Sequence, residues 1–238
     1  MSAPESIQRP AAVAILLSFI AGYVDAVGFV ALLGLFTAHV TGNFILIGTA
    51  VAHARGGLVA KLAALPMFIL AVSATTVFVQ ERTRANKPAL VAVLAAQLLF
   101  LAGFMAVGWA AGPILDVDAP MAVLAGMLGV CAMGIQNAAS RLLMGELPPT
   151  TVMTGGVTQF AIDATHLLRA RVPGVDAVAA RKRLGKFVPP VAAFAVGAVA
   201  GAVLYTQAGF GVLLLPMLAL VAVMLLLRQP VTTSKDPT

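Results

Sequence analysis

Residues 22–53 read GYVDAVGFVALLGLFTAHVTGNFILIGTAVAH, and residues 134–166 read GIQNAASRLLMGELPPTTVMTGGVTQFAIDATH. Each stretch places a polar residue inside an apolar segment, Asp25 in the first and Asn137 in the second, followed by a Thr-Gly turn and a final histidine. The spacing from the polar residue to the threonine of that turn is 16 residues in the first stretch and 17 in the second. The two stretches therefore indicate one structural unit that occurs twice.

The composition is that of a protein embedded in a membrane. Hydrophobic residues make up 61% of the 238 residues, 10% are charged, and the mean hydropathy is +1.01, whereas soluble domains carry about 25% charged residues. A bilayer core about 30 Å thick requires roughly 20 apolar residues per helix. Residues 1–238 are therefore predicted to form a single, all-α polytopic membrane domain. Six stretches are long enough to cross: 11–36, 58–80, 88–111, 119–141, 187–207 and 209–228.

Two further apolar segments, 41–54 and 151–168, are too short or too polar to be comfortable spans. Lys and Arg in short loops collect on the cytoplasmic side of a membrane. If both segments enter and return on one side, 13 of the 15 basic residues lie inside, and if both cross fully, 11 do. We therefore expect six transmembrane helices plus two short re-entrant or half-length helices, with both termini cytoplasmic. The alternative is a chain with eight crossings.

The number of crossings determines the symmetry of the internal repeat, with repeat 1 at about 11–111 and repeat 2 at about 119–228. Three crossings per repeat force the second copy to lie upside down relative to the first. Such inverted repeats, with broken helices that meet near the midplane, recur in transporters. Four crossings per repeat would instead make the two copies parallel.

The Thr-Gly turns are candidate binding elements. Non-helical backbone at membrane depth is tolerated where it is packed in protein or lines a polar cavity. Thr41 and Thr154 suit the N-cap position, and Gly42 and Gly155 let another backbone or a ligand approach closely. A helix N-terminus offers free N–H groups to an anion or a carboxylate. The alternative is that each Thr-Gly pair starts an ordinary helix at the membrane interface.

Asp25 is the most informative single residue. It lies deep within the apolar stretch 11–36, where an ionised carboxylate costs about 2.5 to 3.5 kcal/mol, so we expect it to face a cavity or a partner. It could hold a proton or a cation, bind the solute, or be a structural Asp between helices. Arg141, which shares a helix face with Asn137, is a candidate counter-ion, although an Arg near a helix end more often snorkels to the interface.

The second short helix carries a polar stripe at helical spacing. Asp163 and His166 on that stripe can pair at i, i+3, which favours the lining of a pathway or a proton relay. The alternative is an amphipathic helix at the cytoplasmic interface. The substrate-binding or pathway residues predicted from the sequence are Asp25, Thr41, Gly42, Asn43, Gln136, Asn137, Thr154, Gly155, Gln159, Asp163 and His166.

The sequence offers little for catalysis or metal binding. The histidines do not form a metal-ligand spacing within one helix and Cys131 is the single cysteine, so we predict no metal, no cofactor and no enzyme. The basic residues at 181–186 are attributed to anionic lipid at the cytoplasmic face rather than to nucleic acid. The Gly197-x-x-x-Gly201 spacing permits close helix contact and leaves a homo-oligomer open.

Four blocks of the sequence, at 22–26, 36–43, 134–138 and 151–155, resemble the YoaK-like family of bacterial inner-membrane proteins. The resemblance covers nearly the whole chain. It implies a six-helix protein of the bacterial inner membrane with no assigned substrate, and it carries over no catalytic residues.

Three classes of function follow from the sequence. The leading class is a secondary transporter or channel for a small solute, with a midplane site at the repeat interface built from Asp25, Thr41, Asn43, Asn137 and Thr154. A phosphate-binding loop is missing, so ATP would not be the direct energy source. The alternatives are a non-catalytic membrane scaffold or partner protein and an intramembrane enzyme that modifies lipids.

Overall fold

The computed structural model describes residues 9–53, 57–148, 150–151, 153–170, 172 and 176–228, except for the side chains at 53, 153 and 154. The described chain is helical and contains no strand. Its elements are α1 (Pro10–Ala31), α2 (Gly42–His53), α3 (Leu58–Arg84), α4 (Leu90–Ala110), α5 (Pro120–Leu142), α6 (Met153–Leu168), α7 (Ala177–Ala208), a 3-10 turn (Gly209–Leu213) and α8 (Leu214–Arg228).

Five segments of the described chain are long and apolar enough to cross a membrane: α1, α3, α4, α5 and the continuous run 177–228. That run is divided at Gly209, whose φ of 58° and ψ of −148° favour glycine. As one straight helix it would be about 78 Å long, far more than a bilayer requires. The predicted spans 187–207 and 209–228 fall on its two parts. The chain is a multi-pass helical membrane protein.

Helices α1 and α7 pack backbone against backbone. A Cβ added at Gly197 would overlap the carbonyl of Phe19, and one added at Gly201 would lie 2.5 Å from the carbonyl oxygen of Tyr23. Small residues allow this approach in membranes, where van der Waals contact drives helix association. Because positions 19 and 23 meet positions 197 and 201 in the same order, the two helices run parallel. The close helix contact predicted from the glycine spacing forms within the chain.

Helices α1 to α4 form the first half of the described chain and α5 to α8 the second. The first helix of each half packs on helices of the other half. Helix α1 contacts α7 and α8, and α5 contacts α3 and α4. A Cβ at Gly134 of α5 would lie 3.3 Å from the carbonyl oxygen of Phe68 in α3, so this contact is also close. The short helices pack within their own halves, α2 on α3 and α6 on α7. The first helix of each half therefore packs on the last two helices of the other half.

Helices α1 and α5 run in opposite directions. The Gln136 side chain, late in α5, donates a hydrogen bond of 2.8 Å to the carbonyl of Leu17, early in α1. At the other end, a Cβ added at Gly126, early in α5, would lie 3.2 Å from Leu32, just after α1. The first helices of the two halves are therefore antiparallel.

The connection that contains α2 leaves and returns at one end of the bundle. A Cβ added at Gly34, just after α1, would lie 3.9 Å from the Lys61 side chain in the first turn of α3. The α4–α5 loop reaches the same place, because the Asp118 carboxylate accepts hydrogen bonds from the backbone N–H of Gly57 at 2.8 Å and of Val59 at 3.0 Å. The end of α1, the start of α3 and the start of α5 thus lie together.

The α1–α7 contact gives a stability prediction. Gly197→Ala should lower the melting temperature of the detergent-solubilised protein, because the added methyl group pushes α1 away from α7, and overpacking of this kind costs about 1 to 3 kcal/mol. Gly185→Ala is the matched control in the same helix, since a Cβ there meets nothing within 4 Å. Equal melting temperatures for the two variants, measured by circular dichroism, would contradict the packing.

Candidate functional site

Asp25 holds the α1–α2 connection against α1. The residue is 4% exposed, and its Oδ1 accepts hydrogen bonds from the backbone N–H of Thr37 and of Ala38, each at 2.7 Å, and from the Thr37 hydroxyl at 3.2 Å. Carboxylates satisfy buried backbone donors well, because hydrogen bonds to charged groups are the stronger ones. The residue that the sequence marks as costly in a bilayer therefore stabilises non-helical backbone beside the helix.

The second carboxylate oxygen of Asp25 meets a histidine. Its Oδ2 lies 2.7 Å from Nδ1 of His39, and the backbone of Thr151 faces the His39 ring. Arg141, the counter-ion candidate from the sequence, has an exposed side chain. Asp25 is thus paired with an imidazole from its own connection rather than with Arg141.

The second half of the chain repeats the arrangement with neutral groups. The Asn137 side chain donates to the Thr151 hydroxyl at 2.7 Å, and the Gln136 side chain donates to the Thr150 hydroxyl at 3.2 Å. Gln136 also accepts a hydrogen bond of 2.7 Å from Gln97 of α4. As in the first half, polar side chains of the long helix hold the connection that leads to the short helix.

The polar groups of the two halves are neighbours and form what we call the polar chain. Asp25 is paired with His39, the His39 ring faces the backbone of Thr151, and the Thr151 hydroxyl accepts a hydrogen bond from Asn137. Asp25 and His39 are 14 residues apart, and so are Asn137 and Thr151. Sequence reasoning missed His39, although this equal spacing was a usable signal.

A cavity of about 290 Å³ lies beside the Asp25–His39 pair. Among its lining residues, Asp25 and His39 carry the polar side chains, and the others are aromatic, aliphatic or glycine. The lining residues are Gly22, Asp25, Ala26, Phe29, Val30, Phe36, His39, Phe194, Ala198 and Ala202. The polar pair therefore lies just behind the mainly apolar wall of a small space bordered by α1, the α1–α2 connection and α7.

The first Thr-Gly turn shapes the connection and stands apart from the cavity lining. Thr41 is exposed, and Gly42 is the first residue of α2. Asn43 is 2% exposed, and its amide accepts from the backbone N–H of Phe36 and donates to the carbonyl of the same residue, both at 2.9 Å. Asn43 thus fixes the fold of the segment that carries His39.

The predicted polar stripe of α6 forms a second cluster. Asp163 is 1% exposed and receives hydrogen bonds from Arg183 of α7, from Nε at 3.0 Å and from Nη2 at 2.6 Å. Gln159 donates to it at 3.0 Å. Asp163 is paired with Arg183 rather than with His166, which is half-buried, and this pair ties α6 to α7. Gly155 lies on the exposed side of α6.

Two sequence predictions remain, the role of Thr154 and the expected lack of a metal site. The backbone at 154 belongs to the first turn of α6, but the Thr154 side chain lies outside the described residues, so its predicted role stays a prediction. Within the described part of the chain, no three His, Cys, Asp or Glu side chains come together in a group that could hold a metal ion.

The fold and the buried polar chain define a multi-pass helical membrane protein whose two halves meet at hydrogen-bonded polar groups. The chain belongs to the family of proteins of unknown function DUF1275, which matches residues 13–226. This confirms the expectation from the sequence of a family without an assigned function. Neither a protein of curated function nor a solved structure matches the chain.

The Asp163–Arg183 pair gives a pH prediction. Hydrogen bonding from Arg183 holds the pKa of Asp163 below its ordinary value of 3.8. A carboxyl group whose pKa falls on folding stabilises the folded state above its ordinary pKa, and this contribution is lost as the pH falls through the lowered value. Asp163→Asn should therefore lower the melting temperature at neutral pH, with a difference from the wild type that shrinks in strong acid.

The control is Glu81→Gln, which breaks the exposed Arg84–Glu81 pair. Exposed ion pairs contribute little, so its melting temperature should follow the wild type from pH 7 downward. A deficit of Asp163→Asn that stays constant with pH would contradict an ionised pair.

Proposed function

We propose that the chain is a secondary transporter or channel for a small solute, with a polar site near the membrane midplane where two inverted repeats meet. The observation that carries the proposal is the polar chain from Asp25 through His39 and Thr151 to Asn137, beside a cavity. Polar and ionisable groups within a membrane are costly and mark pathways for ions and solutes.

Three features of the helix arrangement, together with the length of α2, support six crossings and inverted repeats. The antiparallel direction of α1 and α5 is what inversion requires, since parallel repeats would make equivalent helices run the same way. The exchange of partners between the halves is what a two-fold relation produces. The return of the chain from Gly34 to Lys61 beside Asp118 suits an α2 that enters the membrane and returns on one side. A helix of 12 residues is also short, at about 18 Å, for a full crossing.

The carboxylate–imidazole pair provides a route for proton coupling. When Nδ1 of His39 donates to Oδ2 of Asp25, the pair carries one negative charge, and a second proton on His39 would make it neutral. A carboxylate that shares its charge with an imidazolium is a weaker acceptor for the N–H groups of Thr37 and Ala38. Protonation would therefore loosen the connection in front of α2, which links proton binding to movement of the short helix. Asn137 cannot ionise, so the coupling is confined to the first half.

The proposed location is the bacterial inner membrane, with both termini in the cytoplasm. The first turns of α7 carry the exposed residues Arg181 and Lys182, which suit contact with anionic lipid headgroups on that side. The proposed activity is not enzymatic and involves no cofactor and no nucleic acid. The Gly197–Gly201 face packs on α1 within the chain, so a homo-oligomer would use another face. The scaffold function is the second candidate that the following experiments address.

The orientation can be tested by single cysteines in a Cys131→Ala background. Val59 at the start of α3 and Val178 at the start of α7 are 55% and 81% exposed. With six crossings, a membrane-impermeant thiol reagent should label Val59→Cys on intact cells and Val178→Cys only after the cells are opened. With eight crossings both positions lie inside, so protection of both on intact cells would contradict the inverted arrangement.

The role of Asp25 can be tested by flux. The full chain is reconstituted in liposomes that contain a pH-sensitive dye, and solute-driven pH changes are measured with short carboxylates, amino acids, sugars and amines. Asp25→Asn should abolish the pH-dependent flux, because a neutral amide cannot stabilise the second proton on His39. Asp116→Asn, in the exposed α4–α5 loop, should retain it.

Either of two results would count against the proposal. Unchanged flux in Asp25→Asn would remove this residue from the mechanism. Absence of flux in the wild type with every solute class would favour the scaffold function.

A further inference from the structure

We propose that the cavity beside Asp25 binds a small organic cation, an amine or a quaternary ammonium ion with an apolar body. This inference rests on the proposed function, since it names the class of solute that the transporter or channel would carry. Three aromatic rings form part of the cavity wall, and the Asp25 carboxylate lies directly behind that wall.

The aromatic rings come from three different elements. Phe29 of α1 and Phe36 of the connection have ring centroids 4.7 Å apart, and Phe194 of α7 has its centroid 5.4 Å from that of the His39 ring. All of them line the cavity. The faces of aromatic rings attract cations, and aromatic cages are the usual recognition elements for quaternary ammonium groups.

The charge at the cavity favours a cation over an anion or a neutral solute. When His39 is neutral, the pair with Asp25 carries one negative charge, and no other acidic residue is found among the cavity-lining residues. Ala26, Ala198 and Ala202 contribute only small side chains to the helix side of the cavity. At about 290 Å³ the cavity is at the small end of ligand sites, which suits a compact ion with an apolar group.

The bound cation and a second proton on His39 oppose each other, because both interact with the charge of Asp25. The groups that face His39 are Asp25 from α1, the backbone of Thr151 from the segment before α6, and the rings of Phe36 and Phe194. When His39 is protonated, the pair with Asp25 is neutral and its attraction for a second cation falls. Binding of the cation therefore disfavours this proton, which is the exchange that a cation/proton antiporter needs.

The test uses phenyltrimethylammonium, which keeps its charge at every pH, titrated by calorimetry into the full chain in dodecyl maltoside. Binding should be tighter at pH 8 than at pH 5. Asp25→Asn should weaken it about thirtyfold or more, the usual effect of removing one member of a desolvated charge pair. Phe194→Leu keeps an apolar side chain but removes a ring and should weaken it roughly two- to thirtyfold.

Two controls separate charge recognition from general apolar binding. Asp116→Asn removes an exposed carboxylate outside the cavity lining and should leave the affinity unchanged. His39→Gln should remove the pH dependence while binding persists. Equal affinity for tert-butylbenzene, the uncharged counterpart of the same shape, would overturn the proposal. So would unchanged affinity in both Asp25→Asn and Phe194→Leu.

Two further measurements distinguish a lipid headgroup from a soluble solute, and failure of the transport function from failure of the cation site. Competition by micelles of lysophosphatidylcholine would assign the ammonium group to a lipid headgroup, and its absence would assign it to a soluble solute. Both results leave recognition of an ammonium group in place and differ only in its source. Binding without flux of radiolabelled phenyltrimethylammonium in liposomes would remove the transport function and keep the site, whereas flux of another solute without cation binding would remove only this inference.

Discussion

The structure depends on how a stretch of non-helical backbone is stabilised beside the second half of α1. Lipid offers no hydrogen bonds, so N–H groups shielded from water in a membrane protein need partners within the protein. Asp25 supplies it for Thr37 and Ala38, and the Asn43 amide supplies it for both backbone groups of Phe36. Because these contacts are made, α1 can end at Ala31 and the chain can turn back into its own half.

Once the connection is fixed, the rest of the site follows from geometry. His39 is held where its ring can reach both Asp25 and the backbone of Thr151 from the other half. The glycine contact between α1 and α7 then brings Phe194 to the same place. The cavity, the charge and the aromatic rings are therefore consequences of one local stabilisation together with one close helix contact.

The sequence predicted features that depend on composition and local spacing, and missed those that depend on three-dimensional partners. The helical class and the position of Asp25 follow from hydropathy. Extending the first helix to residue 36 was wrong, because α1 ends at Ala31 and the next residues include Leu33 and Gly34 with positive φ. An apolar sequence gives no sign of such a turn. The partnership of Asp163 with Arg183 was also missed, since it requires α6 to fold back along α7.

The exchange of helices between the halves has a consequence for synthesis of the protein. Helix α1 enters the membrane while its partner glycines, Gly197 and Gly201, are still about 175 residues from being made, which at ribosomal rates is a delay on the order of ten to thirty-five seconds. The face of α1 that later packs on these glycines is therefore in contact with lipid during that time. The partners of Asp25 lie 12 to 14 residues further along the chain, so the charged group is covered almost as soon as it is inserted, and long before the halves assemble.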